Sequence, residues 1–365
     1  MTERVLPRIL LLLGAGIALM AGLVGGLGLM DVFRFDLASI PSRAQQYHGP
    51  LMVFGFVGTA IALERAVALR TAWAFFSPLL LILGTTASVL FDVHLIGALL
   101  WTAGFGFLVA IYYFIYQRAT TLPVLIQTAG AVAAVVAGLR WGSTQDFTQA
   151  LILAVIFVVM TVVGERVELA RLNFHQNHAE AQVMILGLIL LSCGIVAVVE
   201  PEIGTRLAGV VLMALVGLMF QRDVARHLIK STGLPKFSAI CMCLAYVWLT
   251  IGATAWVLFG YQSEGYRYDV LIHAIFLGFV MSMIFAHAPI IFTSVLHRQQ
   301  VFSLFLYLPV AIMHFGLMLR IIIGDLMENS AVWRAGGILN VTAVMLFMVS
   351  MVFLLIRRGN NSVAA

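Results

Sequence analysis

Charge is scarce in this chain. Only 10% of its 365 residues are Asp, Glu, Lys or Arg, apolar types make up 62%, and the mean hydropathy is +1.05. Ordinary soluble domains carry about 25% charged residues, so a water-soluble globular fold is excluded. Polar connections are short as well. The longest run over 31–47, 169–180, 223–236 and 260–268, which leaves no room for a separate soluble domain. Cysteine is nearly absent: Cys193, Cys241 and Cys243 all lie inside apolar runs, so a disulfide framework is excluded. Cys241 and Cys243 are two apart, and such positions on a helix do not face one another; they read as small apolar residues. There is no nucleotide-binding loop, zinc-protease motif or nucleophile elbow. There is also no low-complexity linker, and no basic tail of the kind that binds nucleic acid.

What is present is a series of long apolar runs. Backbone groups in lipid must be satisfied internally, which leaves helices or closed barrels. Runs of about 20 residues suit helices, not the ~10-residue alternating strands of a barrel. Twelve spans are expected, over 8–30, 48–70, 74–92, 94–116, 120–139, 147–168, 181–199, 204–222, 237–259, 269–296, 301–323 and 335–356. The chain thus reads as an all-α polytopic membrane protein, one helical bundle over residues 1–365. Arg4 and Arg8 precede the first run as they would in a signal peptide. The run is long and lacks a clear small-residue cleavage site, so it reads as an anchor.

Charge gives an orientation. With the N-terminus inside, 14 of the 21 Lys and Arg residues fall at inner helix ends, and seven (Arg34, Arg43, Arg140, Arg206, Arg267, Arg320 and Arg334) fall at outer ends. Positive charge accumulates on the cytoplasmic side of membrane proteins. Both termini are therefore expected in the cytoplasm, in a multi-pass protein of the cell's inner membrane whose partner is the lipid bilayer. The net charge of +5 expresses topology, not nucleic-acid binding.

Two packing patterns stand out. Gly14, Ala18, Gly22 and Gly26 place a small residue at every fourth position of the first span, a ridge that allows close helix contact. The second, sixth and tenth spans end in Glu64-Arg65, Glu165-Arg166 and His297-Arg298. This spacing points to three four-helix units in parallel, or simply to charge accumulating where helices leave the membrane. The Glu–Arg pairs read first as structural, snorkelling or pairing across helices.

The nine histidines carry the chemistry. His48 and His273 open the second and tenth spans at matching outer depth, with His94 near them at the edge of the fourth. Neutral imidazole ligates haem iron, and a six-coordinate haem needs two such ligands from facing helices. For His48 and His273, ligation is favoured over a bond to water or a backbone carbonyl. His287 lies 14 residues beyond His273 on the same face, about 21 Å away along the axis, so the two cannot share one metal. His314, deep in the eleventh span, is open between a hydrogen-bonded core residue and a metal ligand. His175 and His178 have a spacing that suits a shared metal but sit in a polar segment, better read as a surface loop. His227 and His297 read as interfacial.

The run His48-Gly49-Pro50-Leu51-Met52-Val53-Phe54-Gly55-Phe56 resembles the opening of the second span in the NnrS family, whose pattern there is His-Ala-His-x-Met-x-Phe-Gly. Val162 to Val167, Asn177 to Cys193, Tyr246-Val247-Trp248-Leu249 and His273-Ala274 with Gly278 and Met283 follow in the same order. The short matches cover most of residues 48–298. The resemblance implies a twelve-span membrane protein linked to nitric oxide stress, carrying haem and copper. The family's second histidine falls on Pro50, which cannot ligate. His48-Gly49-x-x-Met52 is also distantly similar to the second helix of haem–copper oxidases, whose histidine is paired with one on the tenth helix. Their copper histidines on helices six and seven have no counterpart in spans 147–168 and 181–199.

The expected function is accordingly that of an NnrS-type haem protein acting in nitric oxide or redox metabolism. Haem b is held low-spin by His48 and His273, with His94, His314 and His287 as further metal-ligand candidates. Copper is a second candidate cofactor and a redox protein a candidate partner. The alternatives are a secondary transporter, or a non-catalytic membrane subunit of a respiratory complex. The charge asymmetry is directly testable: a reporter fused after Arg358 should report the cytoplasm, and a periplasm-active fusion there contradicts the topology.

Overall fold

In a computed structural model, described for residues 5–36, 39–170, 174, 178–295 and 302–361, the chain is helical throughout, with no strand among the described residues. The principal helices are α1 Leu6–Leu29, α2 His48–Leu69, α3 Ala72–Leu90, α4 His94–Arg118, α5 Leu122–Thr144, α6 Leu151–Leu169, α7 Ala179–Val199, α8 Pro201–Arg222, α9 Gly233–Phe259, α10 Gly265–Phe292, α11 Leu304–Asp325 and α12 Ser330–Ile356. They coincide with the twelve expected spans to within a few residues at each end. By length and composition, eleven of them are able to cross a membrane. The twelfth is α6, whose last turns hold Glu165, Arg166 and Glu168. His175 and His297, with Arg298, lie outside the described residues.

Contacts divide the chain into two compact units, so the packing does not follow the three-unit grouping to which the repeat pointed. The first comprises Met1–Leu169 and Glu180–Val199, holding α1 to α7. The second comprises Ala170–Ala179 and Glu200–Ala365, holding α8 to α12.

In the first unit α6 is the core. Every residue from Leu151 to Thr161 is buried, as expected of a helix that is apolar all round. Phe157 packs edge-on against Phe105, and Phe105 in turn against Phe54. Close backbone approach makes this possible. A Cβ on Gly130 of α5 would come within 2.9 Å of the Phe157 carbonyl oxygen, and one on Gly164 of α6 within 3.0 Å of the Pro123 carbonyl oxygen. The small-residue ridge of α1 behaves as its spacing predicts. Ala18 is buried, a side chain on Gly14 would strike Ile82 of α3, and one on Gly22 would strike Met52 of α2.

In the second unit the same device joins α8 to α9 at Gly209 and α11 to α12 at Gly316 and Gly336. Between α9 and α10 a hydrogen bond contributes too, from Ser238 Oγ to the Ala286 carbonyl (2.7 Å). Three stretches depart from α-geometry into π-helix: Leu51–Gly58 in α2, Ala274–Met281 in α10 and Leu319–Asp325 in α11. Such stretches are rare and concentrate at functional sites.

Packing at Gly130 generates a test. Gly130→Leu should destabilise the protein by at least about 1–3 kcal/mol, the usual cost of overpacking, because the obstacle is backbone. Gly106→Leu should be near neutral, since nothing lies within 4 Å of a Cβ there. Thermal unfolding in detergent distinguishes them; equal melting temperatures would show that α5 and α6 are not packed this tightly.

Candidate functional site

The second unit holds the most elaborate polar arrangement around a histidine. Asp269 and His273 stand one turn apart on α10. His273 Nδ1 is 3.0 Å from Asp269 Oδ1 and 3.2 Å from the Asp269 carbonyl oxygen. Both oxygens can only accept, so Nδ1 carries a proton, and in the neutral ring the lone pair sits on Nε2. Asp269 is itself held by α11: Arg320 donates through Nε to Oδ2 and through Nη2 to Oδ1, both at 2.7 Å. This two-pronged, charge-assisted contact fixes the carboxylate plane. The guanidinium carbon lies 5.2 Å from the Trp333 ring centre, a cation–π contact. Asp269, Arg320 and Asp325 are all buried. The chain from Trp333 through Arg320 and Asp269 thus sets both the tautomer and the orientation of His273. Metal-ligating histidines are commonly held by a carboxylate or a carbonyl in this way.

In the first unit, His48 is built along the same lines with different parts. Its Nδ1 donates to the Gly22 carbonyl of α1 at 2.7 Å, again placing the lone pair on Nε2. Gly26 lets α1 lie against the ring, for a Cβ there would be 3.0 Å from His48 Cε1. The preceding turn is tied down. Tyr47 donates to Asp92 (3.1 Å), and Arg43 caps the end of α3 by donating to the Val89 and Leu90 carbonyls (3.2 and 2.8 Å). Burial, joined by the Asp92 carboxylate, pushes the Tyr47 phenol up to about 12, so it stays neutral. A π-helical stretch begins three residues after His48 and one residue after His273.

The other histidines sort by which nitrogen is engaged. His94 donates from Nε2 to the Gly142 carbonyl (3.3 Å) and packs edge-on against Trp141, ring centres 4.2 Å apart. His287 donates from Nδ1 to the Met283 carbonyl (2.7 Å). His314 is buried and accepts at Nδ1 from the Trp248 indole (2.9 Å). With Nδ1 accepting, the neutral ring holds its proton on Nε2, an arrangement in keeping with the core hydrogen-bond reading of this residue. His227 contacts Arg226 at the surface. His48 and His273 belong to different units. Among the described residues, no group of three or more His, Cys, Asp or Glu side chains is placed to hold a metal ion.

The Asp269–Arg320 pair was present in the sequence as two opposite charges at matching depth on consecutive spans, and the Asp-x-x-x-His spacing as one helical turn. Arg320→Met should destabilise the protein by about 3–5 kcal/mol, because it strands a buried carboxylate. Asp269→Asn added to it should recover part of that loss. Denaturation of the parent and the two variants in detergent tests this. A single variant as stable as the parent, or a double variant no better than the single, removes the pair from the account.

No curated protein matches the chain. The sequence profile of a family described as "Domain of unknown function (DUF8744)" matches residues 8–356. That span covers nearly all of the chain, and the chain belongs to this family.

Proposed function

We propose that this membrane protein binds haem b through imidazole nitrogens of His48 and His273 and acts in nitric oxide or redox metabolism at the cytoplasmic membrane. The observation that carries the reading is the shared construction of the two residues. Each stands just before a π-helical stretch, and each has Nδ1–H tied to a protein oxygen, so that Nε2 of the neutral ring bears the lone pair. That is the state in which imidazole ligates iron. The ordered resemblance to the NnrS family supports the same reading and supplies its link to nitric oxide. Haem, when bound, brings a redox-active iron whose potential is set by ligand type, hydrogen bonding and burial. Residues of this chain hold the imidazoles: Asp269 and Arg320 for His273, the Gly22 carbonyl for His48. A copper centre has no donor cluster among the described residues and is not part of the proposal.

The test is a pyridine haemochrome assay and absorbance spectrum on protein purified from haem-replete cells. The parent should be coloured, with a low-spin spectrum. His48→Ala and His273→Ala should each lose or convert that spectrum, whereas His227→Ala and His314→Ala should keep it. A colourless, iron-free parent protein refutes haem binding. A coloured parent unaffected by both His48→Ala and His273→Ala refutes the ligand assignment.

A further inference from the structure

The first unit gathers a second polar cluster where α2, α4, α5 and α6 meet. Its centre is Arg65. Arg65 Nη2 lies 2.7 Å from Glu64 Oε1 and 3.1 Å from Glu165 Oε1, so two carboxylates from two helices meet at one guanidinium nitrogen. On the other prong, Nη1 is 4.0 Å from Glu168 Oε2 and 3.5 Å from Gln127 Oε1. Gln127 in turn donates to Glu168 Oε2 (3.4 Å). Three carboxylates therefore surround one guanidinium. The neighbouring Arg166 also acts on Glu165, so Glu64, Glu165 and Glu168 stand against Arg65 and Arg166.

The cluster also reaches a group it does not satisfy. The Tyr112 hydroxyl of α4 is fully buried and hydrogen-bonds to no protein atom, although Arg65, Glu165, Glu64 and Glu168 all act on it electrostatically. Exposure falls off inward. The Glu168 side chain is 50% exposed, Glu64 27% and Glu165 19%, and Tyr112 is closed off.

Carboxylates in excess of cations in the buried interior of a membrane protein are costly, and ionisable groups held there mark ion or proton pathways. Carboxylates that share one site do not both ionise readily. A carboxylic acid, unlike a carboxylate, can also donate a hydrogen bond, which is what a second acid at Arg65 Nη2 or a lone buried phenol oxygen requires. We propose that this cluster is a proton-binding site: one proton is held between Glu64 and Glu165 beside Tyr112, and it exchanges with water through Glu168. The step is a transfer between carboxyl oxygens and water, with no redox change. It stands independently of haem.

Infrared spectroscopy of the purified full-length protein tests this. At neutral pH the parent should show a protonated carboxylic C=O band that moves to lower frequency in deuterium oxide. Glu64→Gln and Glu165→Gln, which keep shape and hydrogen-bonding capacity, should each remove that band. Glu328→Gln, at an exposed acid of the second unit, should leave it. If either glutamine variant fails to fold, Tyr112→Phe decides the matter. It removes one oxygen from an otherwise closed pocket and should shift the band. The proposal is overturned by a parent with no such band, by a band unaffected by the glutamine variants that fold and by Tyr112→Phe, or by a band lost on adding sodium chloride, which would make the cluster a metal-cation site.

Discussion

The hydrocarbon interior of a membrane contains no water to satisfy a stray polar group, and this constraint organises the molecule. Backbone groups meet it by forming helices. Helices gain little from excluding lipid, which is as apolar as they are, so they associate through close contact at small residues. Gly130 against the Phe157 carbonyl, Gly164 against the Pro123 carbonyl and Gly209 against the Ala253 carbonyl are all such contacts. Polar side chains meet the constraint by spending their hydrogens on backbone carbonyls one turn back or on a neighbouring helix. Trp101 donates to Leu81, Ser77 to Gly104 and Asn340 to Met313 in this way.

The same rule fixes the state of the histidines. A ring nitrogen facing a carbonyl must carry a proton, so the partner decides where the lone pair sits. His273 and His287 use the carbonyl four residues earlier on their own helix. His48 stands in the first turn of its helix and reaches across to α1 instead. His314 is the inverse case, because its partner is an indole donor. Residues alike in the sequence thus become different chemical species, and only some keep the lone pair a metal needs.

How far this was legible depended on what each signal reports. Helix positions follow from run length alone, and they came through almost unchanged from 48–70 in the sequence to His48–Leu69 in the fold. The α1 ridge was legible because four-residue spacing is a local geometric fact. Glu64-Arg65 and Glu165-Arg166 were visible as charges at helix ends, but their partnership was not: Arg65 takes Glu165 from a helix one hundred residues away in sequence, and which helices adjoin is a tertiary property. The π-helical stretches were invisible too. Leu51–Gly58 has the composition of any apolar helix, and a wider turn leaves no mark in hydrophobicity. The repeat of charged ends suggested three units, yet the contacts give two. Charge at a helix end reports the membrane boundary, not the neighbour.

Helix α2 ties these threads together. It carries His48 at one end and the Glu64-Arg65 cluster at the other, 16 residues and about 24 Å along a regular helix. The π-helical stretch lies between them. Each wide turn changes the angular relation between the faces before and after it, so the direction in which His48 points and the direction in which Arg65 points are not independent choices. A sequence that must aim an imidazole at one partner and a guanidinium at three carboxylates has few ways to do both on a single rigid rod. Taking up the mismatch in the middle, where Gly55 and Gly58 admit the side chains of Thr85 and Phe105 close to the backbone, lets both ends keep their partners. The irregularity in α2 thus lies between its two polar ends, and α10 repeats the arrangement, with Asp269 and His273 before the second π-helical stretch and His287 after it.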